Sequence, residues 1–265
     1  MTTLTTARLP ATRIAPQPIP FTRLLTVELT KIFDTRSGFW LTAGIAISAL
    51  LATASVIVFA PDDALTYDSF GAAIGFPMVV LLPIMAILSV TSEWSQRSGL
   101  TTFTLVPNRA RVIMAKMIVA VTVGALSIVL ALGIGAVGNV IGSGIAGVDT
   151  IWDISMNQAL SLVLANVLGL LIGFMLGVLI RNSAGAIVAY FVYGFVLAGL
   201  TVLLAASQEW FRDLQPWVDF NYAQGALFEG SLTGEQWANL GVSGIVWLVV
   251  PLAVGLALIR RSEVK

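Results

Sequence analysis

Charge is so sparse in this chain that the gaps between charges dictate what it can fold into. No Asp, Glu, Lys or Arg occurs between Arg36 and Asp62, and five more uncharged runs follow at 69–92, 117–148, 154–180, 182–208 and 236–259. A helix that crosses a hydrocarbon core about 30 Å thick needs about 20 apolar residues. Each run meets that length, and there is no seventh. The composition agrees: 57% of residues are hydrophobic and 11% charged, against about 25% charged in a soluble domain. The expected fold is an all-α integral membrane protein with transmembrane helices near 38–60, 70–92, 113–140, 156–180, 184–206 and 238–259.

The zero net charge hides a polarity between the connecting segments. Thirteen of the fourteen Lys and Arg residues fall before span 1, between spans 2 and 3, between spans 4 and 5, or after span 6; only Arg212 falls elsewhere. The opposite segments carry ten of the fourteen acids. Short loops rich in Lys and Arg stay in the cytoplasm. The chain is therefore expected in the cell (inner or plasma) membrane, multi-pass, with both termini cytoplasmic. Residues 1–20 hold four prolines and no apolar core of a signal peptide. They are expected as a flexible cytoplasmic tail, followed by an amphipathic interfacial helix at 21–36 and the six-span domain at 37–265.

Several chemistries are excluded by residue type. Without Cys or His there is no thiol or imidazole catalysis, and most zinc and haem sites are ruled out. No Gly-Lys pair occurs, so the phosphate-cradling loop that would bind ATP is missing. No Asp, Glu, Lys or Arg lies in the middle of a span, which argues against an ion-coupled pump or voltage sensor without excluding a carrier that binds ions through backbone and hydroxyl groups. If ATP drives this protein, another subunit hydrolyses it.

Small residues recur at helix-packing intervals: Gly169, Gly173 and Gly177 in span 4, and Gly138 and Gly142 in span 3. Such spacing lets helix backbones approach and is expected to serve packing within the protomer. Asn166, the most central strong hydrogen-bonding side chain of span 4, is a candidate for the transport pathway or for interhelical packing.

In the segment Phe21–Asp34, residues Phe21, Leu24, Leu25, Leu29, Ile32 and Phe33 share one helical side, the pattern of a helix lying in the membrane interface. Glu28 falls within that apolar side. A carboxylate there requires a partner. Lys31 is the local candidate, and a basic residue of the next cytoplasmic segment is the distant one. Ser37-Gly38 is expected to provide the turn into span 1.

That next segment runs from Ser92 to Lys116. A short helix is expected from Glu93 to Phe103, broken at Pro107, with Asn108 capping the next span. Its pattern comprises Glu93-Trp94, Arg97-Ser98-Gly99, Thr104-Leu105-Val106-Pro107, Arg109-Ala110-Arg111 and Ala115-Lys116. This resembles the permeases of bacterial type-2 ABC exporters, and the architecture resembles them along the whole chain. The resemblance implies a type-2 ABC exporter-like fold in which this segment docks into a cleft of a separate ATPase. Glu93, Arg97, Gly99 and Arg109 would then form the coupling segment. It further implies that the outer stretch 207–238, rich in Trp, Phe and Tyr, forms short helices that dip into the outer leaflet; a plain interfacial anchor is the other reading of those residues.

The expected function is that of a non-catalytic permease subunit of an ABC exporter. Its partners would be an ABC ATPase subunit, which binds ATP and Mg, a second permease copy or a related permease, and the lipid bilayer. No cofactor is expected in this chain, and no nucleic acid. The alternatives are a stand-alone secondary transporter or channel, and a non-transporting membrane immunity or scaffold subunit.

Overall fold

The computed structural model describes residues 19–95 and 109–261. The elements in chain order are α1 (Phe21–Asp34), α2 (Arg36–Phe59), α3 (Tyr67–Ser95), α4 (Arg109–Ala146), α5 (Met156–Ile180), α6 (Ser183–Ser207), α7 (Glu209–Val218), α8 (Phe220–Gly225) and α9 (Gly234–Ile259). Helices α2 to α6 and α9 are long and apolar enough to cross a membrane. Apart from connections and one isolated β-bridge between Thr66 and Ile151, the described residues are helical. Among the described residues, successive crossings bring most of the basic ones to one end of the bundle, the basic end, and most of the acids to the other. Helix α4, with 38 residues, is about 57 Å long at 1.5 Å per residue. It is longer than the hydrocarbon core of about 30 Å that a crossing spans.

The centre of the bundle is α3 packed on α5. About half of the most apolar stretch of α5 is buried, against 6% for α6. Close approach is the reason for the glycine spacing in α5: a Cβ on Gly173 would overlap the backbone of Pro83, and one on Gly177 would press on that of Ile87. The stripe packs within the protomer. Helix α3 holds Pro77 and Pro83 in its interior. Proline supplies no N–H, so Pro83 leaves the carbonyl four residues back, that of Val79, without its helical partner. The hydroxyl of Tyr190 on α6 donates to that carbonyl at 2.6 Å. A proline that would weaken α3 alone thus becomes an attachment point for α6.

The turn from α1 into α2 lies at Thr35, whose backbone is extended (φ −84°, ψ 143°), two residues before the expected Ser37-Gly38. The Thr35 hydroxyl donates to the Lys31 carbonyl at 2.8 Å and accepts from the Gly38 N–H at 3.2 Å, joining the two helix ends. Gly38 lies inside α2, where a Cβ would collide with the carbonyl of Ile32. Glycine serves close approach here, not the turn.

At the acidic end, α7 and α8 fold back into the bundle. The Gln224 amide donates to the Ala165 carbonyl at 2.7 Å. Ala165 lies nine residues into α5, about 13 Å along it, so α8 reaches well below the acidic surface. Phe220 and Leu227 are buried there. Two π-helical turns, Val192–Leu197 in α6 and Ile245–Val249 in α9, face this segment. Asn221 donates to the Gly194 carbonyl (3.3 Å), and the Trp247 indole donates to the Val218 carbonyl (2.6 Å). The connection between α4 and α5 is tied to α3: Ile151 O accepts from the Tyr67 N–H (3.1 Å) and the Asn139 amide (2.8 Å).

Candidate functional site

Four charged side chains from three helices meet at the basic end. Glu28 and Lys31 come from α1, Glu93 from the last turn of α3, and Lys116 from the second turn of α4. Lys31 lies 2.8 Å from Glu28 and 2.8 Å from Glu93; Lys116 lies 2.5 Å from Glu28 and 3.0 Å from Glu93. Each cation touches both anions, so the charges alternate around a closed ring that is neutral as a whole. Glu28, Glu93 and Lys116 are buried, while the Lys31 side chain keeps 38% of its surface exposed.

Local sequence explains the placement. On α1 the buried stripe is Leu24, Glu28 and Ile32, an i, i+4, i+8 row; Leu29 and Phe33, counted above with that side, are exposed. Glu28 thus projects from the middle of the inward row. On α4, Lys116 stands in a buried stripe with Val112, Ile113, Val119 and Ala120. Burial alone would pull the Lys31 ammonium below its ordinary value, but hydrogen bonds from its N–H groups to Glu28 and Glu93 outweigh this and hold it raised. A buried charge without a partner costs several kcal/mol, and the ring gives every member two partners.

Glu28 therefore has both expected partners, the local Lys31 and the distant Lys116. Glu93 differs from expectation: it does not open a separate helix but continues α3 without a break, and its carboxylate is buried against the two lysines rather than exposed for docking. Its ion pairs with Lys31 of α1 and Lys116 of α4 accompany the continuation of α3 past the membrane-length limit used to end span 2. Arg97 and Gly99 fall at 96–108, outside the described residues, as do Pro107 and Asn108. Arg109 opens α4 and donates to the Ile259 carbonyl at 3.1 Å, while Arg111 donates to that of Ile19, also at 3.1 Å. The ends of the 96–108 segment are thus tied to α9, to the start of α1, and through the ring to α1 again.

Asn166 is buried and lines a cavity of about 360 Å³ between α3, α4 and α5, with Phe228 also in its wall. Its amide donates to the Leu162 carbonyl of its own helix at 2.9 Å, and its Oδ1 has no hydrogen-bond partner. It does not join two helices. Lys116 is the member of the ring that was not singled out. The signal for it was the one that flagged Glu28, a charge at an apolar helical position. The pair Thr91–Ser183, whose hydroxyls meet at 2.7 Å between α3 and α6, had no such signal. Among the described residues, no group of His, Cys, Asp or Glu could hold a metal ion.

A comparison with curated proteins gave no match. The family model described as ABC-2 family transporter protein matches residues 24–197, from the inward row of α1 through the whole ring to the π turn of α6. With most of the chain matched and six apolar crossings in place, the chain belongs to the ABC-2 transporter family and is a multi-pass membrane component of an ABC transporter.

Proposed function

We propose that this chain is the permease subunit of an ATP-driven exporter, that it works with a separate ATPase, and that the ring of Glu28, Lys31, Glu93 and Lys116 carries ATPase movement into the membrane. The supporting observation is position. Glu93 lies three residues before the 96–108 segment, and Lys116 lies seven residues after Arg109, so the ring clamps both flanks of that segment to α1. A segment pushed by a docked ATPase cannot shift its flanks without moving α1, because separating any member would strand a buried charge. Helix α1 continues through Thr35 into α2, which extends the path to the first crossing.

In this reading the basic end faces the cytoplasm, in keeping with the distribution of Lys and Arg, and both termini lie there in the inner or plasma membrane. ATP and Mg are bound by the partner. Two copies, or this chain with a related permease, enclose the pathway. Residues Arg97, Gly99 and Arg109 belong to the docking segment, and Glu93 acts behind it as a transmitter. Helices α7 and α8 close the outer end.

The test is substrate efflux from cells co-expressing the chain and its ATPase, normalised to permease level in the membrane, with co-purification of the ATPase measured in parallel. Arg97→Ala is expected to reduce co-purification, since truncating a charged contact at an interface costs about 2–5 kcal/mol. The double variant Glu93→Gln with Lys116→Met, which keeps the Glu28–Lys31 pair, is expected to retain co-purification and lose efflux. Normal efflux in both, or transport by the purified chain in liposomes without any ATPase, would sink the proposal.

A further inference from the structure

A cavity of about 170 Å³ lies between α1 and the basic ends of α2, α3 and α4. Its lining changes character along α3. Glu93 and Ser92 stand at one end, Ser89 follows, and Leu88 and Met85 form the other end, with Leu41 from α2 and Val119 from α4 beside them. Eight residues separate Glu93 from Met85, about 12 Å of helix. The cavity is thus polar at the level of the ring and apolar one to two turns deeper. Phe39 and Trp40, exposed at the start of α2, mark the polar level as the membrane interface, where aromatic rings concentrate.

Lys31 is the group that faces this space with chemistry to spare. An ammonium has three N–H donors. Glu28 and Glu93 accept two, which leaves one on a side chain that is 38% exposed. Lys116 also borders the cavity, but only 2% of it is exposed and both carboxylates hold its ammonium, so Lys31 is the more accessible cation. Because the four charges sum to zero, the ring offers one directed cationic donor rather than a strong positive field, and that suits a singly charged anion. Ser37, exposed on the rim, adds a hydroxyl. The volume equals roughly five or six waters, enough for a phosphodiester and a few methylenes.

We infer that this cavity binds the phosphodiester headgroup of a membrane phospholipid from the leaflet that contains α1. Lys31 is the headgroup's cation, and the first methylenes of an acyl chain lie against Leu88 and Met85. A free anion would leave the apolar half of the cavity unused. An uncharged amphiphile could accept a hydrogen bond from Lys31 but would bring no charge to meet its ammonium, where a charge-assisted bond is the stronger one. The bound lipid would wedge α1 against α2 and α3, at the joint where the ring meets the membrane.

The experiment measures lipid retained by the purified full-length chain in detergent, by native mass spectrometry. Three probes are added separately: phosphatidylglycerol, a diacylglycerol with the same chains, and inorganic phosphate. Phosphatidylglycerol should be retained about tenfold better than the diacylglycerol, and inorganic phosphate should not bind. Lys31→Gln should bring phosphatidylglycerol down to the diacylglycerol level. Because that change also touches the ring, Leu88→Trp is the second arm: it fills the apolar half, leaves all four charges in place, and should reduce retention comparably. Equal retention of the two lipids overturns the inference. So does binding of phosphate alone, or parental retention of phosphatidylglycerol by either variant.

Discussion

The two ends of the bundle are held by different physics. At the basic end, three helices are joined through four ionised side chains, three of them buried. At the acidic end, α7 and α8 are held by side chains donating singly to backbone carbonyls, with no ion pair there among the described residues: Gln224 to Ala165, Asn221 to Gly194, Trp247 to Val218, and the charged Arg212 to Ala205. Losing one neutral hydrogen bond costs about 0.5–1.5 kcal/mol, whereas stranding a buried charge costs about 3–5 kcal/mol. The basic end is therefore built to move as one piece or not at all. The acidic end can release its contacts singly, and one of the carbonyls it uses, that of Gly194, lies in a π turn, where helical bonding is already irregular. Under the proposed function, in which the basic end is driven and the acidic end opens, that asymmetry is what the mechanism requires.

The largest expected effect probes the ring. Lys116→Met leaves Glu28 and Glu93 buried with Lys31 as their shared cation. It should lower stability by about 3–5 kcal/mol, read as loss of membrane level and of thermal stability in detergent. Adding Glu93→Gln to the same chain removes the stranded charge and should recover most of the loss. If Lys116→Met is as stable as the parent, the ring is not a unit and the contrast between the ends fails.

How much of this could be read beforehand follows from the range of the signals. Crossings are written in local hydrophobic length, so all six were legible, as was the demand of Glu28 for a basic partner. The identity of the distant partner was legible only in part: Lys116 stands among apolar residues as Glu28 does, which sets it apart from Arg109 and Arg111, but that the two meet emerges only when α4 is packed against α1. Glu93 was placed on an exposed segment since membrane length ends span 2 near residue 92, yet α3 continues through Ser95, with Glu93 paired to α1 and α4. The Tyr190–Val79 bond was out of reach for the same reason: Pro83 announces a free carbonyl, but only the fold shows which hydroxyl meets it.

That bond gives the second prediction, in the middle of the bundle where neither end's rule applies. Tyr190→Phe leaves the Val79 carbonyl unsatisfied among apolar neighbours, at about 1–3 kcal/mol. Pro83→Ala restores an N–H to that carbonyl and should make the Tyr190→Phe change nearly harmless. A double-mutant cycle on thermal unfolding measures the coupling, and additive effects would mean the proline and the tyrosine act independently. At the acidic end the expected losses are smaller. Gln224→Leu and Trp247→Phe should each cost about 0.5–1.5 kcal/mol and leave membrane level near normal. They should instead raise the accessibility of a cysteine placed at Ala165 to a thiol reagent, and unchanged labelling would show that α8 does not seal that depth.

The smallest expected effect is that of pH, and its sign distinguishes the ends. The chain has no histidine and no cysteine, so no side chain has its ordinary pKa near neutrality. Lys31 is held above the ordinary lysine value of 10.5 although burial opposes this, because Glu28 and Glu93 accept its hydrogen bonds. A group raised in the folded state contributes stability that is fully present below its unfolded pKa and is lost as pH rises through the folded one. From about pH 6 upward, thermal stability should therefore be flat to about pH 9 and fall in strong alkali, above the ordinary lysine value. Lys31→Gln should remove the part of that alkaline fall that comes from the ring, whereas Gln224→Leu, at the acidic end, should leave it in place. An alkaline fall identical in all three proteins would mean that the ring contributes nothing to stability that depends on Lys31 being charged, and the electrostatic half of the comparison would have to be abandoned.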